Sequence, residues 1–254
     1  MSFKLSIVTV CLNSARTIGD TLASIARQSH PSIEHIVIDG GSTDGTQAIV
    51  ATHGARVARL VSEPDRGIYD AMNKGLSLAT GDAVGFLNAD DAFAHGDSAA
   101  RLAAAFEPGV EACYGDVVYV SADDPERVIR YWRSGPYRRW LCSTGWAPPH
   151  PTLYVRREVY ARHGGFDADM RVAADFEFAL RMLDVKEVTV RYIPEVLVRM
   201  RAGGVSNRSV RGILQGHREL AAALRRHGLP AGWRWSARRL VRRIPQLLTR
   251  PKAR

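Results

Sequence analysis

The strongest constraint on the fold is a double periodicity in the first hundred residues. Residues 5–11 (LSIVTVC) form a short run rich in β-branched side chains, and Ile18, Leu22 and Ile25 follow at the spacing of one helix face. The alternation returns at residues 36–38 and 43–50, at 58–61 and 68–78, and at 83–87 and 98–106. Four strand-helix units in succession imply an α/β fold, with a parallel sheet, right-handed crossovers and helices on its faces. In such sheets ligands bind beyond the carboxyl ends of the strands. Those ends carry Asn13, then Asp39-Gly40-Gly41-Ser42, then Glu63-Pro64-Asp65, then Asn88-Ala89-Asp90-Asp91. One such acid is equally well explained as a helix cap or turn former. Convergence from separate strands favours a binding site.

Beyond residue 110 the alternation stops. Residues 111–121 and 127–133 flank an Asp-Asp-Pro turn and read as an antiparallel hairpin, followed by a Trp- and Pro-rich loop over 140–151. Helices are expected over 156–163, ended by Gly164-Gly165, and over 175–183. Two strands, 188–193 and 196–200, precede a last helix around 213–227.

Two local patterns carry chemistry. Gly85-Phe86-Leu87-Asn88-Ala89-Asp90-Asp91 is an apolar strand running into adjacent carboxylates. Hard divalent cations commonly sit between one or two carboxylates and substrate phosphates, so a diphosphate could be neutralised there. The alternative is that Asp91 caps the next segment and Asp90 is solvated. In Asp39-Gly40-Gly41-Ser42-Thr43-Asp44-Gly45-Thr46 the glycines permit a tight turn and close ligand approach, and Asp39 can accept bonds from a base or ribose. Ser42 or Thr43 as a helix cap is the alternative there. Neither a G-x-G-x-x-G nor a G-x-x-x-x-G-K-[ST] pattern is present, so dinucleotide and P-loop readings are weak.

These residues resemble the family-2 glycosyltransferases with a GT-A fold. The likeness runs in order over residues 6–13, 39–46, 62–75 and 88–91, about the first hundred residues. Within the family, residues 63–75 look most like members that build bacterial exopolysaccharides and glycolipids, of the colanic-acid type. The resemblance implies that residues 1–110 bind a nucleoside diphosphate sugar and that residues 111–224 form the acceptor and catalytic half of the same domain. Thr9, Asn13 and Asp39 would line the nucleotide pocket, with Asp39 facing the base. Asp65, Asp70, Asn73 and Lys74 would lie beside the donor, although Asp70 and Lys74, four apart on a helix, could instead bridge each other. Asp90 and Asp91 would contact ribose and a Mg²⁺ or Mn²⁺ ion. Asn88 stands where the family commonly has an acid, and an amide is the poorer ligand, so the expectation places the metal mainly on Asp91.

The resemblance also implies an inverting metal-dependent transfer, of hexosyltransferase type, which needs a base for the acceptor hydroxyl. Asp175 matches the family's base; Glu177, two residues on, points to another side of the helix. The alternative for Asp175 is the N-cap of that helix. His150 matches a histidine usual in this subgroup and could contact acceptor, diphosphate or metal, or be structural. Arg201 stands where relatives often carry a histidine. A second functional class is a catalytically silent nucleotide-sugar or membrane-binding module on the same fold; retention of all the carboxylates argues against it.

Charge bears on where the protein works. The chain of 254 residues has a formal net charge of +9, yet ten of its 35 Lys and Arg and none of its 26 acids lie in residues 225–254. Residues 1–224 therefore sum to −1. In the tail, Trp233, Ala237, Leu240, Val241 and Ile244 recur at helical spacing among Arg234, Arg238, Arg239, Arg242 and Arg243. This basic amphipathic helix suits an anionic membrane surface, while its apolar stripe has no use against nucleic acid; docking on the protein's own body is the alternative. Three unpaired cysteines, no signal-peptide pattern and no run of about 20 apolar residues complete the expectation. It is a cytoplasmic protein held peripherally at the inner membrane face, near a lipid-linked or saccharide acceptor, with no nucleic-acid partner.

Overall fold

The computed structural model describes residues 2–203 and 210–231. Its first part alternates as the periodicity requires: β1 (Leu5–Cys11), α1 (Ile18–Ala26), β2 (Ile33–Asp39), α2 (Thr46–His53), β3 (Val57–Ser62), α3 (Ile68–Leu78) and β4 (Ala83–Phe86). There follow β5 (Asp91–Phe93), α4 (Ser98–Ala104), β6 (Ala112–Val120), β7 (Val128–Trp132), β8 (Tyr154–Arg156), α5 (Arg157–His163), α6 (Ala174–Ala179), β9 (Val190–Arg201) and α7 (Val210–Arg226). The nine strands form one sheet in the order β3-β2-β1-β4-β8-β6-β9-β5, with β7 paired to β6. Pairing is parallel from β3 to β4 and again between β6 and β9, whereas β8, β5 and β7 run antiparallel to their neighbours.

Every residue of β1 and β4 is buried, because helices cover both faces of the sheet. One core, containing Val8, Ile38, Met72, Phe86, Phe178 and Leu224, joins the sheet to α3, α5, α6 and α7. The other, with Leu5, Ile7, Leu102, Tyr154 and Leu197, packs α4 on the opposite face. Gly75 lets α3 lie directly on β1: a Cβ there would come within 2.3 Å of Val8 Cγ1. The register then fixes the site, setting Cys11 level with Asp39 and Asp39 level with Ser62 at one edge of the sheet.

Two sequence expectations are corrected, and one of the alternatives falls away. Residues 188–193 and 196–200 are not two strands; β9 runs unbroken through Pro194, and the irregularity is taken up as register shifts around Asp116 of β6. The helix expected over 175–183 is α6 followed by a π-helical segment, Leu180–Val185. Asp91 does not cap a helix but begins β5, opposite Met200. The basic helix expected over 233–244 lies outside the described residues. Residues 225 and 226 of the tail segment belong to α7, where Arg226 pairs with Asp167. Among the described residues, no helix is long and apolar enough to cross a membrane.

Candidate active site

At the end of β2, Asp39 is fully buried and, besides the Cys11 thiol at 3.6 Å, receives four hydrogen bonds to its carboxylate. Donors are the Ser42 hydroxyl, the Ser42 amide at 3.0 Å, the Ser62 hydroxyl at 2.6 Å and Gln47 Nε2 at 3.1 Å. Burial raises its pKa, but these bonds outweigh burial and hold the carboxyl below its ordinary value. Asn13, with φ of 50°, braces the same turn: its amide donates to Ser42 Oγ at 2.8 Å, and its side-chain carbonyl accepts from the Thr43 amide at 3.0 Å. Asp65 closes against this turn from the end of β3. One of its oxygens accepts from the Gly67 amide at 2.8 Å, and the other lies where a Cβ on Gly40 would be 2.4 Å away. Asn13, Asp39 and Asp65 thus meet at one end of the sheet.

The other residues expected in the nucleotide pocket or beside the donor are engaged by protein groups. Thr9 is fully buried, with its hydroxyl 3.0 Å from His35 Nε2. Asn73 uses both ends of its amide on the backbone of Phe166, at 2.8 and 2.9 Å, and so ties α3 to the segment before α6. Asp70 and Lys74 are 3.9 Å apart, but Asp70 is held mainly by Arg66 and Lys74 by Glu63 at 2.8 Å. The Arg66 backbone and side-chain bonds lower the Asp70 pKa.

The second cluster forms where β4 ends. Asn88 Nδ2 lies 3.1 Å from His150 Nε2. An amide nitrogen only donates, so the ring nitrogen accepts and the imidazole proton resides on Nδ1. Burial lowers the His150 pKa, and the charges of Asp175 and then Asp90 oppose it. Asp175 lines the same cavity as the ring, and Asp90 lies two residues beyond Asn88, which touches the ring. Asp175 is the second residue of α6, whose N-cap is Ala173, so its side chain is not the helix cap. Its Oδ1 accepts from Tyr69 Oη at 3.2 Å and from the Phe176 amide at 2.8 Å. A cavity of about 20 Å³, enough for one water, lies beside His150 and Asp175 among Met72, Phe86, Leu153 and Phe178. Glu177 takes no part there: it is buried and bound by Arg181 and by His227 at 2.9 Å.

Asp90 is partly accessible, whereas Asp91 is only 3% exposed. Burial and then the Asp90 charge push the Asp91 carboxyl well above the usual carboxylate range, against the pull of the Arg201 amide and guanidinium. Asn88 Oδ1 is buried without a hydrogen-bond partner, an oxygen left over beside Asp90 and His150. Among the described residues, no three His, Cys, Asp or Glu side chains gather closely enough to hold a cation by themselves. A cation at this strand end would therefore need oxygens from a bound phosphate group, which suits Mg²⁺ or Mn²⁺. Arg201 is engaged with Asp20 at 2.6 Å and with the Ala122 carbonyl at 3.0 Å.

Sequence reasoning missed Tyr69, which lies 106 residues from Asp175 and gives no local signal of meeting it. It also missed Ser62 and Gln47, the donors that keep Asp39 acidic.

The parallel sheet extended by a mixed half, with acids gathered at its strand ends, defines a glycosyltransferase of GT-A fold. Residues 6–163 match the model of Glycosyl transferase family 2, and the chain belongs to that family. It is 33% identical over 216 residues to the PGL/p-HBAD biosynthesis glycosyltransferase of Mycobacterium tuberculosis, covering 80% of this chain and 78% of the relative. Among solved structures, S. aureus TarS 1–349 in complex with UDP-GlcNAc superposes with a TM-score of 0.69 at 18% identity, covering 96% of this chain and 73% of that one. The Pyrobaculum calidifontis mannosyltransferase PcManGT, in complex with GDP-Man and Mn²⁺, gives 0.65 at 23% identity, with 94% and 69% covered. The chain spans 44% of the longer S. aureus TarS structure.

Proposed function

We propose that this glycosyltransferase acts with inversion, moving a hexose from a nucleoside diphosphate donor to the hydroxyl of a lipid-linked or saccharide acceptor. The observation that carries the reading is that Asp175 of α6 and His150 line one cavity, that His150 meets Asn88 beside Asp90 where β4 ends, and that Glu177 is tied off elsewhere. The acceptor O–H gives its proton to the Asp175 carboxylate as its oxygen attacks the anomeric carbon; the bond from that carbon to the diphosphate breaks, and the electron pair leaves with the diphosphate. Tyr69 holds the base through a hydrogen bond to the oxygen that Phe176 also engages. Neutral His150 orients a neighbouring hydroxyl through Nδ1–H.

At the other end, Asp39 recognises the base, exchanging a bond now made by Ser62 or Gln47 for one from the nucleotide, while Asn13 and Asp65 shape the wall of the pocket. Residues 1–110 thus serve the donor and 111–224 the acceptor. Asp90 and the spare Asn88 oxygen fit a divalent cation; Asp91, the main metal ligand expected from the sequence, is the less suited because it is buried and held well above the usual carboxylate range. Bound there, Mg²⁺ or Mn²⁺ would supply charge neutralisation for the diphosphate. The complexes of TarS with UDP-GlcNAc and of PcManGT with GDP-Man support a nucleotide-sugar donor. The mycobacterial relative, named for PGL biosynthesis, supports a glycolipid acceptor. The basic tail supports attachment to the inner face of a membrane.

A panel of UDP, GDP and TDP sugars with Mg²⁺ or Mn²⁺, followed by thermal shift and slow donor hydrolysis, tests the donor reading. One nucleotide class should raise the midpoint only with a divalent ion, and a chelator or Asp90→Ala should abolish the shift. Absence of any ion-dependent shift across the panel would contradict it.

A further inference from the structure

The loop between β7 and His150 bears a feature that sugar transfer does not use. Arg138, Arg139 and Trp140 are exposed in succession, the indole residue 47% so. Trp140 also has φ of 67°, a left-handed backbone that is costly for a bulky side chain. The turn that imposes this conformation is firmly built. Buried Asp184 accepts from the Ser143 amide at 2.7 Å, the Cys142 amide at 3.3 Å and the Tyr137 hydroxyl at 2.8 Å, and Ser143 Oγ donates to the Trp140 carbonyl at 2.6 Å. Asp184 itself lies in the π-helical segment, whose neighbours Val185 and Lys186 are exposed. Glu187, next in line, is bound by Arg139. Two adjoining turns therefore present an indole, a valine and three cations, of which Arg139 is paired with Glu187, while the second acid, Asp184, is buried beneath them.

We propose that these turns form a membrane-contact surface for anionic phospholipid headgroups, with Trp140 at the interface and Arg138 and Lys186 on the phosphates. An indole has an apolar body and a polar N–H, the combination that settles at headgroup depth. Each cation held near an anionic surface adds attraction. The alternative, a saccharide stacked on Trp140, is disfavoured because the Arg139 guanidinium already lies over the ring, 5.3 Å from its centroid. The turn seats Cys142 in the core, yet it leaves the bulky Trp140 exposed in a strained backbone conformation, a combination that points to function. The surface belongs to the body, so it is independent of the basic tail and of the identity of the catalytic base. The same loop continues to His150, so docking sets the acceptor side of the site against the lipid.

Partitioning of the full chain onto vesicles of phosphatidylglycerol with phosphatidylcholine, and of phosphatidylcholine alone, tests this. Trp140→Gly relieves the backbone conformation, because glycine adopts positive φ readily. It should leave the thermal midpoint equal or higher while weakening binding to the anionic vesicles at least fivefold. Arg138→Glu with Lys186→Glu should weaken it at least tenfold, and wild-type binding to phosphatidylcholine alone should be weaker than to the anionic vesicles. Equal partitioning of wild type and both variants overturns the proposal, however tightly they bind, since attachment then belongs to other segments. Unchanged partitioning with loss of binding to an immobilised saccharide panel in Trp140→Gly also overturns it, making Trp140 a saccharide contact.

Discussion

Asp39 is buried yet acidic because every group facing its carboxylate donates a hydrogen bond. Asp39→Asn puts an amide nitrogen among those donors, leaving N–H groups opposed. Such an unsatisfied buried group costs about 1–3 kcal/mol. The variant should show a lower thermal midpoint and lose nucleotide-dependent stabilisation; an unchanged midpoint would mean the carboxylate network is not formed. The choice between Asp175 and Glu177 shows the limit of the residue scale in the sequence. Their spacing establishes that they face different sides, but not which side is the cleft. That is decided by Arg181 and by His227, 50 residues away, which bind Glu177. The Asp90-Asp91 pair is similar: β5 is three residues long, and its pairing with β9 buries Asp91. Adjacent carboxylates look equivalent until that strand is seen.

Among the elements, α7 helps to hold the candidate base through the segment that precedes it. Glu219 accepts the amides of Arg171, Val172 and Ala173 at 3.1, 2.8 and 3.0 Å, fixing the turn that starts α6. In Glu219→Ala these three donors lose their acceptor, and about 1–3 kcal/mol of stability should be lost, read as a lower denaturant midpoint. Transfer should fall more than donor binding, because Asp175 is displaced while Asp39 is not; equal losses in both would assign Glu219 to general stability alone. The strand-helix units up to β4 were legible because each period is local and each element is covered on the sheet's two faces. Strand β9 was not, since Pro194 and Glu195 interrupt its apolar run. A proline is tolerated where a ladder is already irregular, and β6 shifts register there. The period over 175–183 signals a helix but not its π-helical second half, where Asp184 reaches the turn at Cys142 in a tertiary contact.

For the whole molecule, the separation of charge places the basic excess in the last thirty residues and leaves a nearly neutral body. The body's stability should nevertheless depend on acid. Burial holds His35 at about 4, below its ordinary 6.5. As pH falls through 6.5 the unfolded chain binds this proton and the folded chain does not, so stability is full above 6.5 and is lost progressively down to about 4. Burial alone would raise Glu34, but bonds from Ser6, Thr80 and Lys4 outweigh it and hold the group near 2 against an ordinary 4.5, so a further loss follows between those values. Thermal midpoints measured from pH 7 to 4 should decline, and His35→Gln should flatten the upper part of that decline; a parallel decline in the variant would assign it to other groups. The central claim concerns Asp175, and transfer by Asp175→Asn, assayed beside donor-induced thermal shift, tests it most directly. Removal of a general base costs roughly 10²–10⁴-fold in rate, so the donor shift should persist while transfer falls at least a hundredfold. Transfer within a few-fold of wild type would contradict the assignment and place the base elsewhere in the cleft.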